Sequence, residues 1–197
     1  GAEIDLLLEA AGCLPRRAMI SHTKEGRMRG ELRMPKGWFA AGSHPSEYKM
    51  GLATDAGRGG AVTIKAGRKP QGFATMMQQF KADAYRGKRL RFTADVRAAG
   101  VEQWAGLWMR VDGPGDQVLA FDNMQNRSIT GTRDWEGYAV VLDVAEQSGK
   151  LAFGILLAGP GQVWMAGVKM EMVDLDVSTT STCSPLADQP ENLSFEE

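Results

Sequence analysis

The sequence predicts an all-β protein: two antiparallel sheets packed as a sandwich with jelly-roll connections. Three observations predict it. Apolar residues recur at period two over many short runs. Glycine is abundant, 24 of 197 residues, which signals frequent turns. Turn-forming strings separate the runs: GRGG at 57–60, KPQG at 69–72, DGPGD at 112–116 and AGPG at 158–161. No long helical pattern falls between the runs, so crossover helices and a parallel sheet are not expected.

The elements follow in order. Residues 3–11 read as a short helix, because Ile4, Leu7, Leu8 and Ala11 share one face at i, i+3, i+4 and i+7. Gly12 stops it and Pro15 follows. Residues 21–36 have no period and read as a connecting arm. Strands are then expected over 48–53, 61–66, 73–80, 88–97, 104–112, 137–144, 150–157, 162–166 and 168–172. In 88–97, Leu90, Phe92, Ala94 and Val96 face one way and charged residues the other, as in a half-buried strand. The same alternation places Leu107, Met109, Val140, Leu142, Phe153 and Ile155 in a shared core. Residues 131–138, GTRDWEGY, read as turn chemistry and edge cover. After Val173 the text turns to Ser, Thr, Pro and acid, which reads as a tail. The expected organisation is a helix and basic arm over 1–35, a sandwich over 36–174 and an acidic tail over 175–197.

A chain of this length buries roughly 70% of its unfolded surface and needs no metal or disulfide staple. No run approaches 18 apolar residues, so a transmembrane helix is excluded, and the acidic opening AEIDLLLEAAG is unlike a secretory signal. The net charge of −1 is unevenly spread. Residues 16–36 carry seven bases against two acids, and residues 174–197 carry six acids and no base. The arm has no interleaved aromatics for base stacking, so nucleic acid is not an expected partner. The arm and the tail are expected near each other, or across a homodimer contact. Cys13 and Cys183 make neither a disulfide framework nor a zinc motif, and whether they pair stays open.

Seven strings, in order, carry a resemblance: KGWFAAGSHPSEYKMG (36–51), GFATMMQQF (72–80), YRGKRLRFTADVRA (85–98), WAGLWMRVDG (104–113), LAFDNMQNR (119–127), GTRDWEGYAVVLDV (131–144) and LAFGILLAGPGQVWMAGVKMEMV (151–173). This text resembles jelly-roll domains of the galactose-binding-like class, which includes many carbohydrate-binding modules. The resemblance implies a β-sandwich and a carbohydrate-binding role. It departs at one place. Modules of this class often end on a tryptophan, a variable residue and two aspartates, a carboxylate of which helps hold calcium. Here the text is Trp164-Met165-Ala166-Gly167, and a methyl cannot replace a hard oxygen ligand. No metal and no cofactor is expected.

The candidate site begins on the strand 104–112. Trp108, Arg110 and Asp112 share the parity opposite Leu107, Met109 and Val111. A face with a ring, a guanidinium and a carboxylate suits a sugar, whose ring stacks while its hydroxyls take directional hydrogen bonds. The competing reading buries Trp108 and pairs Arg110 with Asp112. Asp122, Asn123, Gln125 and Arg127 follow in an amide-rich loop, a common place for binding; the competing reading is an Asx-type turn satisfying its own backbone. Of Gln78 and Gln79, in an otherwise apolar strand, one must face out or reach into a pocket, and Gln78 joins the candidate set.

No catalytic residue is expected. His44 is adjacent to Ser43, a spacing that does not build a nucleophile–base pair, and no nucleophile elbow or phosphate loop is present. Asp112, Asp122 and Asp143 are the carboxylates from which a glycosidase pair would have to be drawn. Three functions follow in order of preference: a non-catalytic module binding a small polar ligand, foremost a glycan; a sensor or interaction domain of a bacterial regulatory protein; and a glycan-active enzyme.

Overall fold

A computed structural model describes residues 32–181. The expected helix at 3–11, most of the basic arm, Cys13, Cys183 and residues 182–197 of the tail lie outside the described residues.

Nine strands form the fold: β1 (Phe39–Gly42), β2 (Tyr48–Leu52), β3 (Val62–Ala66), β4 (Phe73–Lys81), β5 (Lys88–Asp112), β6 (Val118–Asp122), β7 (Ile129–Val144), β8 (Lys150–Ala158) and β9 (Gln162–Val173). Every ladder is antiparallel. One layer is β1-β4-β8-β5-β6 and the other β2-β3-β9-β5-β7. β5 belongs to both. Its N-terminal half pairs β7 from Lys88 and β9 from Arg89, and its C-terminal half pairs β8 and β6 as far as Asp112. Between the halves the β5–β7 register shifts three times, after Val96, Ala98 and Val101. Gly100 sits inside this bend at φ 59°, a left-handed conformation that glycine adopts without steric cost.

All nine residues expected in the core are buried: Leu90, Phe92, Val96, Leu107, Met109, Val140, Leu142, Phe153 and Ile155. They come from both layers and form one cluster. Phe153 is its aromatic hub. Its ring meets Phe92 at 5.1 Å, Trp38 at 5.5 Å and Phe80 at 5.9 Å, each edge-on, the arrangement that the ring quadrupole favours.

The strand boundaries need four corrections. The runs 88–97 and 104–112 are one strand, because the bulged bend keeps pairing while it turns the corner. Likewise 162–166 and 168–172 are one strand, bulged at Gly167, φ 63°. Residues 131–136 are not a turn but the start of β7, which pairs the bent part of β5 while its side chains stay largely in solvent. Phe121 and Asp122 belong to β6 rather than to the loop that follows.

The core assignment yields a stability expectation. Phe153→Ala removes the ring on which three others rest and should cost about 3–5 kcal/mol. Urea unfolding of the parent and the variant measures it; a loss under about 1 kcal/mol would mean that the hub carries no load.

Candidate functional site

The expected site residues do not form one site. Trp108, Arg110 and Asp112 do share the outer face of the first layer, as their parity required. But Trp108 is only 8% exposed. It packs with Met77, Phe121, Ala152 and Leu156, and its indole N–H donates to Thr75 Oγ1 at 2.7 Å. A ring with its plane covered offers no stacking surface, so the packed alternative describes this residue. Arg110 is committed to Asp112 through Nε to Oδ1 at 2.8 Å and Nη2 to Oδ2 at 3.1 Å. Lys150 adds a contact of 3.5 Å to the same buried carboxylate.

The 122–127 loop is largely self-satisfied. Met124 donates its backbone N–H to Asp122 Oδ1 at 2.8 Å, and Gln125 donates to Asn123 Oδ1 at 3.1 Å. These are Asx-type bonds, which let the chain turn with Met124 at φ 60°. Arg127 pairs with the buried Asp122 through both terminal nitrogens and also donates to the Ala139 carbonyl at 3.1 Å. Asn123 is buried, and its Nδ2 has no hydrogen-bond partner among the described residues. Gln125 is exposed.

The three carboxylates considered for glycoside chemistry are each bound to an arginine: Asp112 to Arg110, Asp122 to Arg127, and Asp143 to Arg89 at 2.7 Å. Ser43 Oγ accepts the Phe73 backbone N–H at 3.0 Å and lies 3.1 Å from His44 Nδ1, so it serves the loop beside β4.

Gln78 lies elsewhere. It has the inward parity of Met76 and Phe80, not the outward parity of Met77. It reaches a cleft of about 310 Å³ between the two layers, with Trp38, Phe153, Leu52, Val62 and Val168 among its walls. Strand endings create this cleft. The β1–β4 ladder starts at Phe39 opposite Met77, because the Pro35–Gly37 turn precedes it. The β3–β9 ladder starts at Val62 opposite Met165, because the GRGG turn precedes it. Past these points β4 has lost β1 and β9 has lost β3, and the gap between layers opens. Continuing the β1–β4 register puts Trp38 across from Gln78. The Gln78 amide makes no hydrogen bond to a described residue, and no charged side chain among the described residues lines the cleft. An apolar ring surface beside a free amide can hold a flat or ring-shaped uncharged molecule. Trp38 was not singled out by the sequence; the available signal was its place between a glycine turn and the short alternation Phe39–Gly42.

Trp164, where the calcium-binding text is lost, is buried under the 53–61 loop. Its indole donates to Asp55 Oδ1 at 2.8 Å, and Arg97 stacks over its ring at 4.7 Å. The Trp164 hydrogen bond holds the Asp55 carboxyl below its usual value of 3.8. Among the described residues no group of three or more His, Cys, Asp or Glu is placed to hold a metal ion.

No family model matches the chain. The chain is 51% identical over 168 residues to an uncharacterized HTH-type transcriptional regulator, YbfP, of Bacillus subtilis (strain 168). The match covers 82% of this chain and 57% of that protein, so the chain spans just over half of its relative. The fold is similar to the enzymatically active domain of tailspike protein 4 of bacteriophage CBA120, at a TM-score of 0.54, 11% identity, and coverage of 70% of this chain and 20% of that one. It is also similar to the CBM22-1 xylan-binding domain of a Paenibacillus barcinonensis protein, at a TM-score of 0.52, 10% identity, and coverage of 73% and 90%. At these identities the likeness concerns the fold alone, an antiparallel β-sandwich of the jelly-roll type.

Two expectations follow from the two buried tryptophans. Trp108→Ala should cost about 3–5 kcal/mol in thermal or urea unfolding, as a core truncation does; a near-neutral variant would place the ring at the surface. Asp55, with its carboxyl lowered, contributes stability that is complete above its ordinary value of 3.8 and is lost as pH falls through the lowered one. Trp164→Phe should return the Asp55 titration, followed by carboxyl NMR, to the ordinary range; an unchanged titration would rule out the indole as its cause.

Proposed function

We propose that this β-sandwich is the ligand-binding part of a bacterial transcriptional regulator. Its ligand is a neutral sugar or glycan end, held without catalysis between Trp38 and Gln78. The observation that carries this reading is the unpartnered Gln78 amide, aimed into an open, uncharged cleft beside an indole. A sugar ring presents an apolar face that packs on Trp38 and hydroxyls that exchange hydrogen bonds with an amide, which both donates and accepts. The cleft volume of about 310 Å³ suits one or two sugar rings rather than a long chain laid across a sheet face. Two similarities support the reading: the fold resembles a xylan-binding domain, and the 51%-identical relative is named as an HTH-type regulator. The arginine-bound state of Asp112, Asp122 and Asp143 supports binding over hydrolysis, since none of the three is free to act as acid or nucleophile.

The test is a panel of mono- and oligosaccharides against the parent, Trp38→Ala and Gln78→Ala, read by melting temperature and by calorimetric titration. A binding sugar should raise the parent's melting temperature. Trp38→Ala should abolish that shift, and Gln78→Ala should weaken binding roughly tenfold, about one to two hydrogen bonds' worth. If Trp38→Ala and Gln78→Ala bind a sugar as the parent does, the cleft is not its site.

A further inference from the structure

The edge formed by β2, β3 and the turn after β3 carries four cations that make no ion pair with a described carboxylate. Lys49 and Lys65 are direct cross-strand neighbours, and both are exposed. Like charges placed opposite each other repel. Arg68 and Lys69 follow in the turn, also exposed, and with Lys49 they border a surface depression of about 330 Å³. Among the described residues none of the four forms an ion pair with a carboxylate, although ion pairs are plentiful elsewhere on the surface, among them Arg58–Asp95 and Arg91–Glu171. The two nearby acids are engaged otherwise. Glu47 accepts the Gln71 backbone N–H at 2.6 Å, and Asp55 is hydrogen-bonded by Trp164 and Gln162, with Lys65 near enough to help lower its carboxyl but not to form an ion pair. Arg33 also lies alongside β2, its carbonyl accepting the Leu52 N–H at 2.8 Å.

We propose that this edge docks on the phosphate backbone of duplex DNA. The inference rests on the regulator reading above, which is what brings DNA within reach. The missing aromatics that argue against base stacking do not bear on it, because a duplex backbone is contacted by cations alone and without sequence preference. Strand spacing is about 4.8 Å and the rise about 3.3 Å per residue, so the four side chains span a face over which one DNA strand offers several phosphates.

The test is fluorescence anisotropy of the full chain with a labelled duplex of about 20 base pairs and arbitrary sequence, between 50 and 200 mM salt. Four phosphate contacts should give a log–log salt slope near −3.6, about a 150-fold loss of affinity over that range. K49Q/K65Q/R68Q/K69Q should lose most of that dependence. K88Q/K169Q, two exposed lysines away from this edge, should keep it. Melting curves confirm that each variant is folded. An unchanged slope in the quadruple variant overturns the proposal, as does a parent that binds no duplex at 50 mM. Polyglutamate of matched charge competing as well as DNA would assign the edge to an acidic protein segment and overturn it too. The sugar titrations run on the same parent separate the two readings. Sugar binding with no duplex binding removes only this inference; duplex binding with no sugar binding removes only the carbohydrate reading.

Discussion

The structure depends on one strand. β5 is 25 residues long and pairs with four others, β6, β7, β8 and β9, so both layers hang from a single piece of backbone. A strand that serves two layers must bend without losing its ladder. The register shifts after Val96, Ala98 and Val101, with Gly100 in the left-handed region, provide that bend. Once β5 has turned, its alternating apolar residues face inward on both sides of the bend, from Leu90 to Val111, and the core follows. The order of strands is thus tied to local chemistry at a few residues of one segment.

The same economy explains the cleft. A sandwich covers its interior only as far as the neighbours of each strand reach. β1 and β3 both start late, one after Pro35–Gly37 and the other after Gly57–Gly60, and they do so on the same side. The gap leaves Val168, which lines it, 39% accessible, a high value for an apolar residue with the inward parity of its strand. Trp38 and Gln78 meet there because the β1–β4 register places them opposite each other.

Much of the fold was legible in the sequence because period-two alternation reports burial on one face. It failed where alternation fails. Residues 130–136 of β7 are exposed on nearly every side chain, so nothing in their polarity separated a strand from a turn. β6 is five residues long and is followed by Asn123 and Gln125, so its end read as loop. For the site, parity correctly placed Trp108, Arg110 and Asp112 on one face. Parity cannot say whether that face is covered, and Trp108 lies in a second apolar cluster outside the main core. The loop residues Asp122, Asn123 and Arg127 have the composition of a binding loop but spend it on their own turn. Trp38 escaped notice because what distinguishes it is the neighbour the register gives it, a long-range pairing that a linear reading does not contain.

The five tryptophans supply the most direct measurement. Their indole N–H resonances can be followed one by one in two-dimensional NMR while a sugar that raises the melting temperature is titrated in. Trp108 is bonded to Thr75 and Trp164 to Asp55, both inside the fold, whereas Trp38 borders the cleft. The account predicts a saturable shift of the Trp38 resonance, with those of Trp108 and Trp164 unmoved. A saturable shift at Trp108 with Trp38 silent would contradict it and return the site to the outer face of the first layer.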